Sequence, residues 1–199
     1  MKNYCVYITG VGGQGVVRTS IIMGLACAKK GVGIVMSEIH GMAQRGGSVP
    51  AEIKIGNAYS PIIEQGGADL LISFEPAESL RAMSKLSKDT IAVVNTQPII
   101  PVTVALGTSV YLDPKMYLDE LRSKLKKVVF LDAESIAREA GNVLTLNMVM
   151  LGASSATPGF PIEKEFLVAA MQENLPAKAM DANLRAFDMG FEQAKKDLQ

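Results

Sequence analysis

Six residues near the N-terminus, Gly10-Val11-Gly12-Gly13-Gln14-Gly15, carry the sharpest chemical signal in the chain. They match a GxGxxG pattern lying between an apolar, β-prone run and an apolar helical one, the context in which that pattern holds a phosphate. Glycine lets the backbone turn tightly and lets a ligand approach the amides. The helix that starts there turns unpaired N–H groups and its positive dipole end toward an anion. Arg18 sits in the first helical turn, where a cation is mildly unfavourable unless it meets an anion. The same residues also suit a ligand-free strand-to-helix turn, with Arg18 paired to a surface carboxylate.

A second glycine-rich stretch follows, Glu38-Ile39-His40-Gly41-Met42-Ala43-Gln44-Arg45-Gly46-Gly47-Ser48. Arg45 beside two glycines can present a guanidinium and backbone amides to one anion. The alternative is a flexible turn with a solvated arginine. His40 is the single histidine. No cysteine or serine pattern accompanies it to suggest a metal site or a hydrolase, so it reads as a hydrogen-bonded loop residue. Glu38 closes the second strand, where a dinucleotide fold places its ribose-binding acid. That keeps open a self-contained NAD- or FAD-binding oxidoreductase.

Composition narrows the classes. The 199 residues are 48% hydrophobic and 20% charged, which is globular rather than disordered. Lys plus Arg equals Asp plus Glu, 20 of each, so no excess of positive charge draws the chain to nucleic acid or an anionic membrane. Two cysteines, Cys5 and Cys27, cannot ligate an iron–sulfur cluster that takes four, and their spacing fits no zinc site. No apolar stretch reaches ~20 residues without a charge, and no signal peptide is evident, so a cytoplasmic protein is expected.

The elements that must position these loops are legible in outline. Tyr4–Thr9 reads as a strand buried on both faces, and Val16–Lys30 as a helix stopped by Gly31. Residues 33–37 read as a second strand, completing a βαβ unit. Residues 49–55 alternate like a half-exposed strand. Residues 69–74, 91–95 and 128–131 read as further strands, and 109–112 as a weaker one. Glu75-Pro76 opens a helix with proline at its first position, and Asp113, followed by Pro114, and Asp132 cap two more. From residue 144 onward the chain is helical, and Met180, Leu184, Phe187, Phe191 and Ala194 make one stripe on the last helix. The expectation is one α/β domain over residues 1–199. It has a Rossmann-like, mainly parallel sheet, helices on both faces and a helical C-terminal segment.

The two glycine-rich stretches together carry a resemblance. Gly10 to Val16, then Ser37 to Ser48, resembles the gamma-type domain of the 2-oxoacid:ferredoxin oxidoreductases, and the SEIHGMAQRGGSV wording is similar to the indolepyruvate type. Tyr59-Ser60-Pro61, Gly66-Gly67-Ala68-Asp69, Phe74-Glu75-Pro76 and Val94-Asn95-Thr96 continue the likeness in order. The resemblance implies a small subunit that bears no thiamine diphosphate or iron–sulfur cluster, both lying on a large partner subunit. It implies oxidative decarboxylation of aryl pyruvates to aryl-acetyl-CoA with ferredoxin as acceptor, and a hetero-oligomer inactive without its partner. Related ketoisovalerate or pyruvate enzymes are an alternative. It also implies coenzyme A contacts at Gly10, Gly12, Gly13, Gln14, Gly15, Arg45, Gly46 and Gly47, with no catalytic residue and no metal ligand in this chain. Arg18 departs from the small or apolar residue associated with that position.

Overall fold

A computed structural model describes residues 3–39 and 46–199. The strands are β1 (Tyr4–Thr9), β2 (Ile34–Glu38), β3 (Ala51–Ile55), β4 (Leu70–Ser73), β5 (Ile91–Asn95) and β6 (Lys127–Leu131). The helices are α1 (Val16–Lys30), α2 (Pro76–Arg81), α3 (Val102–Ala105), α4 (Pro114–Lys124), α5 (Ala133–Glu139), α6 (Leu146–Ser155), α7 (Lys164–Asn174) and α8 (Met180–Asp197). The six strands form one sheet in the order β2-β3-β1-β4-β5-β6. β1, β4, β5 and β6 run parallel, whereas β3 is antiparallel to both β1 and β2. The sheet is therefore mixed and mostly parallel.

The first βαβ unit differs from the simplest reading of the sequence. β2 does run in the direction of β1, but β3 lies between them. Residues 49–55 are also not half exposed, because every residue of β3 is buried. The alternation remains, but both faces are covered. Ala51, Ile53 and Ile55 enter the main core, while Glu52 and Lys54 face the other side and are neutralised there. Glu52 pairs with Lys85 at 3.0 Å and Lys54 with Glu64 at 3.1 Å. Such pairing is what allows charged side chains inside a covered strand.

One face of the sheet packs α1 and α5 to α8 over Val6, Ile8, Ile72 and Val93. The other packs α2 and α4 over Leu71, Ala92 and Val94. Asp113 and Asp132 cap their helices as expected, and Glu75 also proves to be a cap. Glu75 accepts from the Glu78 amide at 3.0 Å, Asp113 from Lys115 at 2.9 Å and Asp132 from Ser135 at 2.9 Å. Residues 109–112 form no strand and lie in an exposed connection. On α8 the buried residues are Asn183, Ala186, Phe187, Gly190 and Ala194, with the long Met180 and Leu184 only partly covered. The stripe is rotated toward small residues because α6 and α8 meet backbone to backbone. A Cβ on Gly190 would lie 2.1 Å from the Val149 carbonyl oxygen, and one on Gly152 would lie 2.0 Å from that of Phe187.

Candidate functional site

The glycine turn leaves the carboxyl end of β1, the end at which ligands of parallel sheets bind. Its shape is held from within. The Val11 amide donates to the Gln14 Oε1 at 2.7 Å, and Gln14 Nε2 donates to the Phe74 carbonyl at 2.7 Å. Gln14 thus pins the turn to the end of β4, and both ends of its amide are taken by the protein itself. Gly10 is required by packing, since a Cβ there would meet Phe74 Cβ at 2.8 Å. Gly13 and Gly15 have φ of +106° and +91°, where other residues are strained, and nothing lies within 4 Å of a Cβ on Gly13.

The second loop arrives at the same end. The Gly12 amide donates to the Gly47 carbonyl at 2.8 Å, the Val49 amide to the Gly10 carbonyl at 2.8 Å, and Val11 bridges to Ser48. The structure therefore brings Gly12 against Gly47, with Gly46 beside it in the chain, while Gly10, Gly46 and Gly47 do not line the cleft that opens next to the turn. Arg45 and His40, singled out from the sequence, lie outside the described residues.

Beside the turn opens a cleft of about 710 Å³ lined by Val11 to Arg18, Ile21, Ile22, Val49, Leu144, Asn147 and Asn174. The first turn of α1 forms one wall, and its leading amides have no intrahelical acceptor. Gly15 caps that helix with no side chain. Arg18 is exposed on the same wall and, among the described residues, forms no ion pair. Opposite stands Asn147, from the first turn of α6. It is 6% exposed, and its carboxamide makes no hydrogen bond among the described residues. A Cβ on Gly15 would lie 2.9 Å from Asn147 Cβ, so the two helix starts nearly touch. The carboxamide borders the open cleft, where it can meet a ligand. Facing amides, a guanidinium and a carboxamide suit an anionic ligand with hydrogen-bond acceptors.

Asn147 was missed at the level of sequence. It follows Leu144 in an apolar helical run, where its one signal was a polar residue among Leu, Met and Val. Glu38, by contrast, ends β2 two strands away from β1. At the usual strand spacing this is roughly 10 Å, twice the offset of a dinucleotide fold in which the acid-bearing strand adjoins the first. Among the described residues no group of three or more His, Cys, Asp or Glu could hold a metal ion. Both cysteines are buried and neither is in a disulfide, and burial pushes the Cys27 thiol up to about 11.

Sheet order, glycine turn and cleft define the class, an α/β protein of Rossmann-like type with an open site at the carboxyl end of its strands. The chain belongs to the pyruvate ferredoxin/flavodoxin oxidoreductase family, whose model matches residues 5–193. It is 49% identical over 189 residues to the indolepyruvate oxidoreductase subunit IorB of Methanothermobacter thermautotrophicus, spanning 95% of this chain and 96% of that protein. Its fold is that of the gamma subunit of the keto/oxoacid ferredoxin oxidoreductase of Geobacter sulfurreducens. The TM-score is 0.71 at 24% identity, over 96% of this chain and 98% of that one. It also superposes with a TM-score of 0.74 on the 2-oxoglutarate:ferredoxin oxidoreductase of Magnetococcus marinus, solved with 2-oxoglutarate, coenzyme A and succinyl-CoA bound. That match covers 98% of this chain but 32% of the longer one, at 20% identity. Among the described residues no helix is long and apolar enough to cross a membrane.

Proposed function

We propose that this chain is the small subunit of a cytoplasmic indolepyruvate:ferredoxin oxidoreductase, and that residues 1–199 act as one gamma-type domain. The observation that carries the reading is end-to-end identity of 49% with an indolepyruvate oxidoreductase subunit of nearly equal length. The open cleft adds to it. In this reading a large partner subunit holds thiamine diphosphate and the iron–sulfur clusters, which supply the decarboxylation and the single-electron transfers when bound. The small subunit's own residues bind and orient the acyl acceptor, coenzyme A.

The residues of the cleft fit such a ligand. The first-turn amides of α1 and the Arg18 guanidinium face a phosphate. The open space over Gly13 admits it closely, and Asn147 gains the partner that it lacks within the protein. Gly46 and Gly47 are the second loop's contribution beside the turn, and Arg45 joins them as a second cation. The lasting association that this division of labour requires buries roughly 2,000 Å² or more.

The test is reconstitution. Mixed with the large subunit under anaerobic conditions, the chain should restore indolepyruvate- and coenzyme A-dependent reduction of ferredoxin or a viologen dye. The reading fails if the large subunit is fully active by itself, or if this chain alone turns over a 2-oxoacid.

A further inference from the structure

A run of exposed apolar residues lies on a stretch that the cleft does not use. Residues 96–112 contain no Asp, Glu, Lys or Arg, in a chain that is 20% charged. A buried core segment would explain such composition, yet this one is on the surface. Val110 is 83% exposed, Leu106 71%, Ile100 53% and Leu112 46%. Soluble proteins scatter single apolar residues over their surfaces, but a contiguous uncharged cluster marks an interaction site.

The stretch is also preformed. One buried carboxylate holds both of its ends, because Glu75 Oε1 accepts from the Ile99 amide at 3.4 Å and from the Tyr111 hydroxyl. Tyr111 packs edge-on against Tyr117 at 5.5 Å, whose hydroxyl accepts from the Leu112 amide at 3.1 Å. Inside the loop, Thr103 takes the Thr108 amide at 2.9 Å and the Ser109 hydroxyl at 2.7 Å. A loop fixed at its base and braced within loses little conformational freedom on binding.

Its position names the occupant. The loop leaves the carboxyl end of β5 next to the glycine turn. The Phe74 carbonyl that holds Gln14 also accepts from Asn95, the last residue of β5, at 3.0 Å. Leu144, 82% exposed, stands on the cleft at this same end of the sheet. Whatever chain completes the cleft must approach this end. In the Magnetococcus marinus 2-oxoglutarate:ferredoxin oxidoreductase the same fold is 32% of one longer polypeptide, so there it is joined covalently to another part of that enzyme.

We infer that the loop formed by residues 99–112, pinned by Glu75, is the docking arm through which this chain seats on an uncharged groove of the thiamine diphosphate-bearing large subunit. The inference rests on the reading of the chain as that enzyme's small subunit. The partner surface is apolar rather than acidic or basic, because the arm offers no charge to pair.

The experiment compares binding of three forms of the full chain to the purified large subunit by calorimetry. They are wild type, the double variant Leu106→Asp with Val110→Asp, and Tyr59→Asp. Tyr59 is 104% exposed and follows β3 toward the opposite end of the sheet. The double variant should keep the melting temperature of the isolated wild-type chain and lose about a hundredfold or more in affinity, as two desolvated carboxylates must. Tyr59→Asp should bind like wild type. The docking arm is overturned if the double variant binds as tightly as wild type, or if Tyr59→Asp loses as much. It is also overturned if the isolated wild-type chain proves to be a dimer that the double variant dissociates, which would make a second copy the occupant. Failure of wild type itself to bind the large subunit would overturn the subunit reading along with it.

Discussion

At the scale of single residues, the cleft separates groups that shape the site from groups left over to meet a ligand. Gln14 belongs to the first kind, with both amide ends bonded to backbone. Asn147 belongs to the second, lining the cleft with no hydrogen bond from its carboxamide among the described residues. Asn147→Ala should therefore leave the melting temperature nearly unchanged while raising the KM for coenzyme A in the assembled complex about tenfold or more, the loss of one good hydrogen bond. A large drop in melting temperature with an unaltered KM would make Asn147 structural. Gly13→Val should act in the same direction, adding a side chain where φ is +106° and the approach to the amides is open. Titration makes a separate prediction. Burial pushes Cys27 from 9.0 up to about 11 and Tyr4 from 10.0 up to about 12. Between those values the unfolded chain has released protons that the folded chain retains, so stability is full below about pH 9 and falls as pH rises further. A melting temperature flat between pH 7 and 8.5 and declining from pH 9 to 11 is expected. A rise over that window would contradict the assigned burial.

At the scale of elements, the contact that most constrains the fold is the crossing of α6 and α8. Gly152 and Gly190 let two helices approach until a Cβ at either would stand about 2 Å from the opposing carbonyl. Neither backbone can yield without moving a helix, and α6 carries Asn147. Gly190→Ala should cost about 3 kcal/mol, at the upper end of overpacking, and lower the melting temperature by roughly 6–12 °C. Thermal unfolding followed by circular dichroism checks it, and a shift under about 2 °C would mean that the helices separate easily. The elements themselves were largely legible. β1, α1, β5, the proline-led start of α2 and the caps at Asp113 and Asp132 follow from local apolar runs and capping chemistry. The rotation of the α8 stripe was not legible, because hydrophobic periodicity weights large side chains while a close crossing selects small ones.

At the scale of the whole molecule, the interposed strand β3 separates this fold from a dinucleotide-binding one. It sets Glu38 two strands from the glycine turn, out of line with a ribose held at the N-terminus of α1. Titration of the isolated chain with NADH or FAD should accordingly give no saturable binding at micromolar concentration, whether followed by fluorescence or by calorimetry. Tight binding of either would restore a self-contained oxidoreductase as the better account. The cleft, the end of the second loop and the start of the uncharged stretch after β5 all lie at one end of the sheet, so the proposed ligand and the proposed partner would meet the same surface.

The amino-acid sequence by itself determined the class of fold, the order of most elements and the glycine turn as the centre of interest. Each of these rests on local rules: apolar runs, caps, glycine conformations and a motif read over a few residues. It also carried the family likeness, which the full-length relatives bear out. Only the tertiary structure decided that β3 would enter antiparallel between β2 and β1, burying Glu52 and Lys54 against distant cations and anions. Only it brought Asn147 to the glycine turn from more than a hundred residues away, and tied both ends of the 99–112 loop to one carboxylate. Those outcomes depend on which elements become neighbours across the sheet, and neighbours distant in sequence leave no periodic trace within either segment.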